Sequence, residues 1–218
     1  MKKFIEFSNV TFNYESLTIL EKINLIINEG DFIGIIGPNG SGKTTFLKLL
    51  LKELVPTSGE VKYYDDYEIG YVEQLSLNIE SAFPYSVKEI LMMGLYSKIG
   101  IFRLPKKSHH ELIDKTLNLI GIRELKSKRI SELSGGQQQK VMIAKALVAS
   151  PSLLVLDEAF SGLDEESEKN LINLLQKLNK DHKMTILFVS HHFDDKSYLN
   201  RIFTLSDRNI IEIEKEKA

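Results

Sequence analysis

Apolar and polar positions alternate with a period near two through residues 4–14 (FIEFSNVTFNY). The pattern returns at residues 18–27 (TILEKINLII) before Asn28-Glu29-Gly30 turns the chain. Alternation of this kind predicts two half-buried strands. Residues 32–36 (FIGII) are apolar on both faces, the mark of a strand buried in a parallel sheet. This run enters a glycine-rich turn and then a leucine-rich helix over residues 44–54. Pro56-Thr57-Ser58-Gly59 is a break, and short strands follow around residues 60–64 and 68–72.

From about Leu75 to Leu133 the pattern becomes helical. Residues 87–96 (VKEILMMGLY) read as a helix, and residues 99–107 (IGIFRLPKK) as a loop carrying three basic residues. Residues 108–120 place Leu112, Ile113, Leu117 and Ile120 on one helical stripe, with Gly121 as the stop. A further helix over residues 137–149 ends at Ser150-Pro151. After it come a buried strand (LLVLD, 153–157) and an amphipathic helix carrying Leu171, Leu174, Leu175 and Leu178. A third buried strand (TILFVS, 185–190) and paired terminal strands in RIFTL and NIIEIE complete the pattern. Strand–helix–strand alternation predicts an α/β fold with a parallel central sheet, into which a helix-rich segment is inserted.

Composition narrows the classes. The chain has 218 residues, 43% hydrophobic and 27% charged, and reads as one globular domain. A net charge of -2 argues against a broadly basic nucleic-acid binder, and no nucleic-acid partner is expected. The absence of cysteine excludes disulfides, thiolate metal sites and thiol catalysis. No apolar run approaches the roughly 18 residues of a membrane span. The opening MKKFIEFSNV meets Glu6, Ser8 and Asn9 too early for a signal peptide. An intracellular protein is the expectation.

Three local patterns carry chemistry. Gly37-Pro38-Asn39-Gly40-Ser41-Gly42-Lys43-Thr44 fits G-x-x-x-x-G-K-[ST] between a buried strand and a helix, and Thr45 follows it in the helix. Glycine lets successive backbone N–H groups turn inward on phosphate oxygens, and the helix N-terminus adds a positive partial charge. Lys43 can reach the outer phosphates, and the Thr44 hydroxyl can join an Mg²⁺ shell. The second pattern is Asp157-Glu158 at the end of LLVLD. An Asp there can hold Mg²⁺, and the next carboxylate can polarise an attacking water. Taken alone, the pair is equally a solvated strand end. The third is Leu133-Ser134-Gly135-Gly136-Gln137, a serine-capped helix start with two glycines that allow close approach to exposed N–H groups. From spacing alone, an ordinary capped helix serves as well.

Together these motifs resemble the ATP-binding-cassette ATPases, and the resemblance spans essentially the whole chain. GPNGSGKT is similar to that family's Walker A loop, LLVLDE to Walker B with Glu158 at the catalytic position, and LSGGQ to its signature. Gln74 in GYVEQ matches the Q-loop, Ser161-Gly162-Leu163-Asp164 the D-loop, His191 the switch histidine and Tyr14 the aromatic residue that stacks on adenine. The resemblance implies a P-loop fold with an antiparallel β subdomain at the N-terminus. It also implies a division into a core of about 1–75 and 150–218 and a helical subdomain of about 76–149. ATP and Mg²⁺ are the implied cofactors, with Thr44, Gln74 and Asp157 around the metal. Lys43, Gln74, Glu158 and His191 are the implied catalytic set. Two copies are implied to close head to tail on ATP, so that Ser134, Gly135, Gly136 and Gln137 of one meet the γ-phosphate held by the other.

Ala159, Gly162 and His192 depart from the commoner family residues without removing a reactive group. His109 and His110 are adjacent and face different ways on a helix, a poor metal pair. His182 reads as exposed, and Arg103, Lys106 and Lys107 as a solvated basic loop, with contact to lipid headgroups or a membrane subunit's cytoplasmic loop as the alternative. Phe83-Pro84-Tyr85-Ser86-Val87 and Phe102-Arg103-Leu104-Pro105 are most similar to segments of the ATPases of manganese, zinc or iron importers. That resemblance implies separate permease subunits and, indirectly, a substrate-binding protein, with the chain held at the inner face of the cell membrane. An iron-chelate or other small-solute importer is the alternative. A non-transport cassette fits less well, because such chains carry two cassettes or a coiled-coil insertion.

Overall fold

The computed structural model describes residues 2–73, 84–100, 103–191 and 196–213. Gln74, Phe83, Phe102 and His192, singled out above, lie outside the described residues.

Three strands form an antiparallel sheet in the order β2-β1-β4: β1 (Lys3–Tyr14), β2 (Leu17–Asn28) and β4 (Ser58–Tyr63). Six strands form the second sheet in the order β5-β6-β7-β3-β8-β9. Its members are β3 (Phe32–Ile36), β5 (Ile69–Val72), β6 (Leu153–Asp157), β7 (Thr185–Ser190), β8 (Arg201–Ser206) and β9 (Asn209–Ile213). All neighbours in it are parallel except β8 and β9, which pair antiparallel as the terminal hairpin. The α/β class and the parallel core predicted above are therefore observed.

The apolar runs of β3, β6 and β7 are explained by burial on both faces of this sheet. Phe32, Leu154, Leu156, Ile186 and Phe188 pack into one hydrophobic cluster, while their strand neighbours Ile33, Leu153, Val155, Leu187 and Val189 pack into the other. The first cluster contains α2 (Val87–Met93), α3 (Tyr96–Ile99), α4 (Lys107–Ile120), α5 (Gly135–Leu147) and α6 (Glu165–His182). The second joins α1 (Lys43–Leu50) to the antiparallel sheet, with Phe46 stacked on Phe7 at 4.9 Å.

Two helices stop earlier than their apolar patterns predict. α1 ends at Leu50 rather than Leu54: Lys52 turns left-handed (φ 63°) and the Glu53 N–H closes on the Lys48 carbonyl at 2.8 Å. That six-to-one bond satisfies a carbonyl the helix would otherwise leave open. The helix expected over residues 87–96 divides into α2 and α3 around Gly94, where α2 meets α5. A Cβ on Gly94 would stand 2.8 Å from Val148 Cγ1, so the glycine permits that close approach. Gly121 ends α4 in the left-handed conformation (φ 73°), as its position predicts.

Arg201, on β8, ties β2 and β9 to the turn that leads into β3. Its Nη1 donates to Ile26 O (2.6 Å) and Asp31 Oδ2 (3.0 Å), while Nε and Nη2 form a fork on Glu212 at 2.8 and 2.9 Å. The turn between β8 and β9 is further joined to β2 through Glu21 N–H to Arg208 O at 2.8 Å.

Candidate nucleotide-binding site

The carboxyl ends of β3, β6 and β7 meet in one place. In register, Ile36 lies beside Ser190 and Asp157 beside Val189. The loop after β3 is fastened to β7 by Gly37 N–H to Ser190 O at 3.3 Å. The turn after β6 is fastened to the same strand by Glu158 N–H to Val189 O at 2.9 Å. His191 follows directly at the end of β7, so it stands next in chain to the residue that holds Gly37. Ligand crevices of open α/β sheets lie at such strand ends.

Within residues 37–42, Gly40 (φ 79°) and Gly42 (φ 102°) adopt backbone that other residues avoid. Gly42 caps α1 with no side-chain bond, so the first-turn N–H groups of the helix are available to an anion. Lys43 is 8% exposed, and its Nζ donates to Gly37 O (2.8 Å) and Pro38 O (3.1 Å). The ammonium therefore draws the loop around itself. Ser41 Oγ is buried without a hydrogen-bond partner. An orphaned hydroxyl beside a lysine and bent glycines suits an anionic guest.

Asn39, Gly40, Gly42, Lys43, Thr44 and Thr45 line a cleft of about 290 Å³ together with Ile19, Asp157 and Glu158. Desolvation by burial pushes the Asp157 carboxyl up. A hydrogen bond from the Tyr71 hydroxyl at 3.2 Å and the charge of Lys43 act the other way, and Glu158 adds to the rise. Tyr71 is itself pushed up, first by burial and then by the Asp157 charge. Glu158 has a left-handed backbone (φ 48°), unusual for a residue with a side chain. Such outliers persist where surrounding structure enforces them, and the bond to Val189 is one such constraint.

The predicted site residues do not all gather here. Ser134 caps α5 with a full capping box: Gln137 N–H donates to its Oγ at 3.4 Å and its own N–H donates to Gln137 Oε1 at 3.2 Å. Ser134 and Gly135 are exposed, and Ser134, Gly135, Gly136 and Gln137 are absent from the lining of the cleft. Gly136 packs against the first turn of α6, where a Cβ would meet Ser167 Oγ at 2.7 Å. Ser167 is held by Asp164, which caps α6 through bonds at 2.9 and 2.8 Å. Tyr14 closes β1, 46% exposed, with Phe12 edge-on at 4.9 Å, and it too stands outside the cleft lining.

Ile19 and Tyr71 escaped the sequence reading. Tyr71 reaches Asp157 through the pairing of β5 with β6, where it lies opposite Val155 and so on the same face of the sheet as Asp157. Neither that register nor the place of Ile19 is marked in the sequence.

Comparison with known proteins agrees with this geometry. The family model described as ABC transporter matches residues 20–161. The zinc uptake system ATP-binding protein ZurA of Listeria monocytogenes is 40% identical, over 97% of this chain and 86% of its own length. The manganese transport system ATP-binding protein MntB of Bacillus subtilis is 37% identical, over 94% of this chain and 84% of its own. Among solved structures, a bacterial ABC transporter cassette seen as a dimer superposes with a TM-score of 0.76 at 26% identity, covering 97% of this chain and all of that one. The same cassette has been solved as a dimer in a post-hydrolysis state with ADP and Pi. The chain belongs to the ABC transporter family. Within it, this is an ATP-binding cassette, a nucleotide-binding ATPase.

Proposed function

We propose that this chain is the ATP-hydrolysing subunit of a transporter that imports zinc or manganese through separate membrane subunits. The observation that carries the ATPase part is the separation of two anion-binding features in one chain. The P-loop, Asp157 and Glu158 share a cleft, while the capped glycine turn at Ser134 stands exposed outside it. A second copy packed head to tail brings its own turn to that cleft. The names of ZurA and MntB, each similar over more than nine-tenths of this chain, support the metal. No helix among the described residues is long and apolar enough to cross a membrane.

The donor set fits a triphosphate with magnesium. The Thr44 hydroxyl and the Asp157 carboxylate are hard oxygen donors. No group of three or more His, Asp or Glu suited to a metal occurs among the described residues, which leaves the remaining positions to phosphate and water, as magnesium prefers. When bound, magnesium neutralises charge developing on the transferred phosphoryl group. Lys43 leaves the Gly37 and Pro38 carbonyls for the outer phosphates. Glu158 orients the attacking water, His191 bonds the γ-phosphate, and Tyr14 stacks on adenine. Gln74 links the site to the permease. The segment of about 76–149 acts as a helical subdomain against a core of about 1–75 and 150–218. A substrate-binding protein delivers the ion from outside, and the chain works at the inner face of the membrane.

Cellular zinc and manganese measured by mass spectrometry in a strain lacking this chain test the reading. Both the loss of one metal and its restoration by the wild-type chain, but not by Glu158→Gln, are expected. Unchanged metal content alongside reduced uptake of another solute would contradict the metal assignment.

A further inference from the structure

Asp157 has a hydroxyl neighbour that the phosphate-binding motifs do not account for. Tyr71 sits on β5, the edge strand beyond β6, and its backbone lies opposite Val155 in parallel register. Side chains two apart on a strand share a face, so Tyr71, Val155 and Asp157 line the same side of the sheet. The phenol thus reaches along that face to the strand end, where its hydroxyl donates to Asp157 Oδ2 at 3.2 Å. The ring is partly buried, packed with Ile69 against the cluster that contains α1, and a cavity beside it is walled by Leu51, Lys52 and Glu53 at the end of that helix. The donor is thereby supplied by a side chain held in packing rather than by solvent.

The need for such a donor follows from the surroundings. Asp157 lies in the same cleft as Lys43, whose charge attracts it, and beside Glu158, which repels it. A carboxylate free to rotate between these neighbours loses the orientation that a metal ligand requires. Outer partners that fix a ligand's orientation are a general feature of metal sites.

We propose that Tyr71 is a positioning residue for the metal–nucleotide complex: its hydroxyl pins Oδ2 of Asp157 and so leaves Oδ1 for the hydration shell of the magnesium ion. The proposal rests on the ATPase reading above and adds a residue outside the phosphate-binding motifs to it. Tyr71 does not touch nucleotide or metal. Its contribution appears in how much magnesium is needed, not in how the bare nucleotide binds.

The test compares the full chain with Tyr71→Phe, using AMP-PNP as the ligand in calorimetry, first in EDTA and then at stepped magnesium concentrations. In EDTA the two proteins are expected to bind alike. The magnesium concentration giving half of the metal-dependent gain is expected to rise about 10-fold in the variant, the lower end of what loss of an outer partner costs. Tyr71→Met, which fills similar space without a donor, must give the same displacement, and melting curves establish that both variants are folded. An unchanged magnesium midpoint overturns the proposal. So does an equal loss of affinity in EDTA, which would make Tyr71 a packing residue. If neither protein binds AMP-PNP, the ATPase reading fails with it; binding by both with identical midpoints removes Tyr71 alone.

Discussion

The backbone N–H of Glu158 donates to the carbonyl of Val189 at 2.9 Å, and Glu158 is left-handed at that point (φ 48°). The bond turns the chain out of β6 as soon as Asp157 has been placed, so Asp157 ends the strand and Glu158 begins the turn. Replacing Glu158 by Gln keeps the shape and the backbone bond and removes only the negative charge. Turnover is expected to fall by about 100-fold or more, as for loss of a positioned general base. ATP affinity should stay, and a dimer should persist in ATP. Phosphate release and light scattering in ATP read both effects. A monomeric variant that still hydrolyses ATP would show that Glu158 is not the residue that activates water.

Gly136 gives a second prediction. A Cβ there would stand 2.7 Å from Ser167 Oγ and 2.9 Å from Ser167 Cβ. Gly136→Ala must therefore move α5 or α6, at a cost of about 1–3 kcal/mol typical of overpacking. Because Gly136 lies outside the nucleotide cleft, ATP binding to a single copy should be unchanged while hydrolysis falls. Ser167→Gly in the same chain should recover part of the loss. Weakened binding in the monomer, measured by calorimetry, would place Gly136 in the wrong half of the site.

The Arg201 network predicts an acid-sensitive element of stability. The Glu212 carboxyl is held below its ordinary value of 4.5, chiefly by its hydrogen bond from Arg201. A depressed carboxyl stabilises the fold above its unfolded pKa and loses that contribution as the pH falls through the folded one. Glu212→Gln should thus lower the melting temperature at neutral pH, and the gap to wild type should close well below 4.5. A gap that stays constant across that range would mean that the fork on Glu212 contributes nothing to folding.

Much of this was legible in the sequence because the decisive signals are local. The P-loop pattern needs only a strand, two glycines with positive φ and a lysine at the helix start, and all appear where the spacing puts them. The buried strands were legible because both faces are apolar, and the alternation of Phe32 with Ile33 and of Leu154 with Val155 between two clusters is the cause. What depends on distant segments was not legible. The stop of α1 at Leu50 is set by a non-glycine residue, Lys52, in left-handed geometry, which no pattern announces. The break at Gly94 comes where α2 meets α5, separated from it in sequence by all of α4. Tyr71 bonds Asp157 across 86 residues, and Ile19 reaches the cleft from the other sheet.

If two copies close head to tail, one supplies the phosphate loop and the other the glycine turn. The chain has no cysteine, so an Asn39→Cys, Ser134→Cys double variant in the Glu158→Gln background carries only the two reporters. Mild oxidation with ATP, followed by non-reducing electrophoresis, is the direct measurement. A cross-linked dimer is expected to form with ATP and to fail to form without nucleotide. A disulfide closed within one monomer, or cross-linking indifferent to ATP, would show that the loop and the turn do not meet across a dimer.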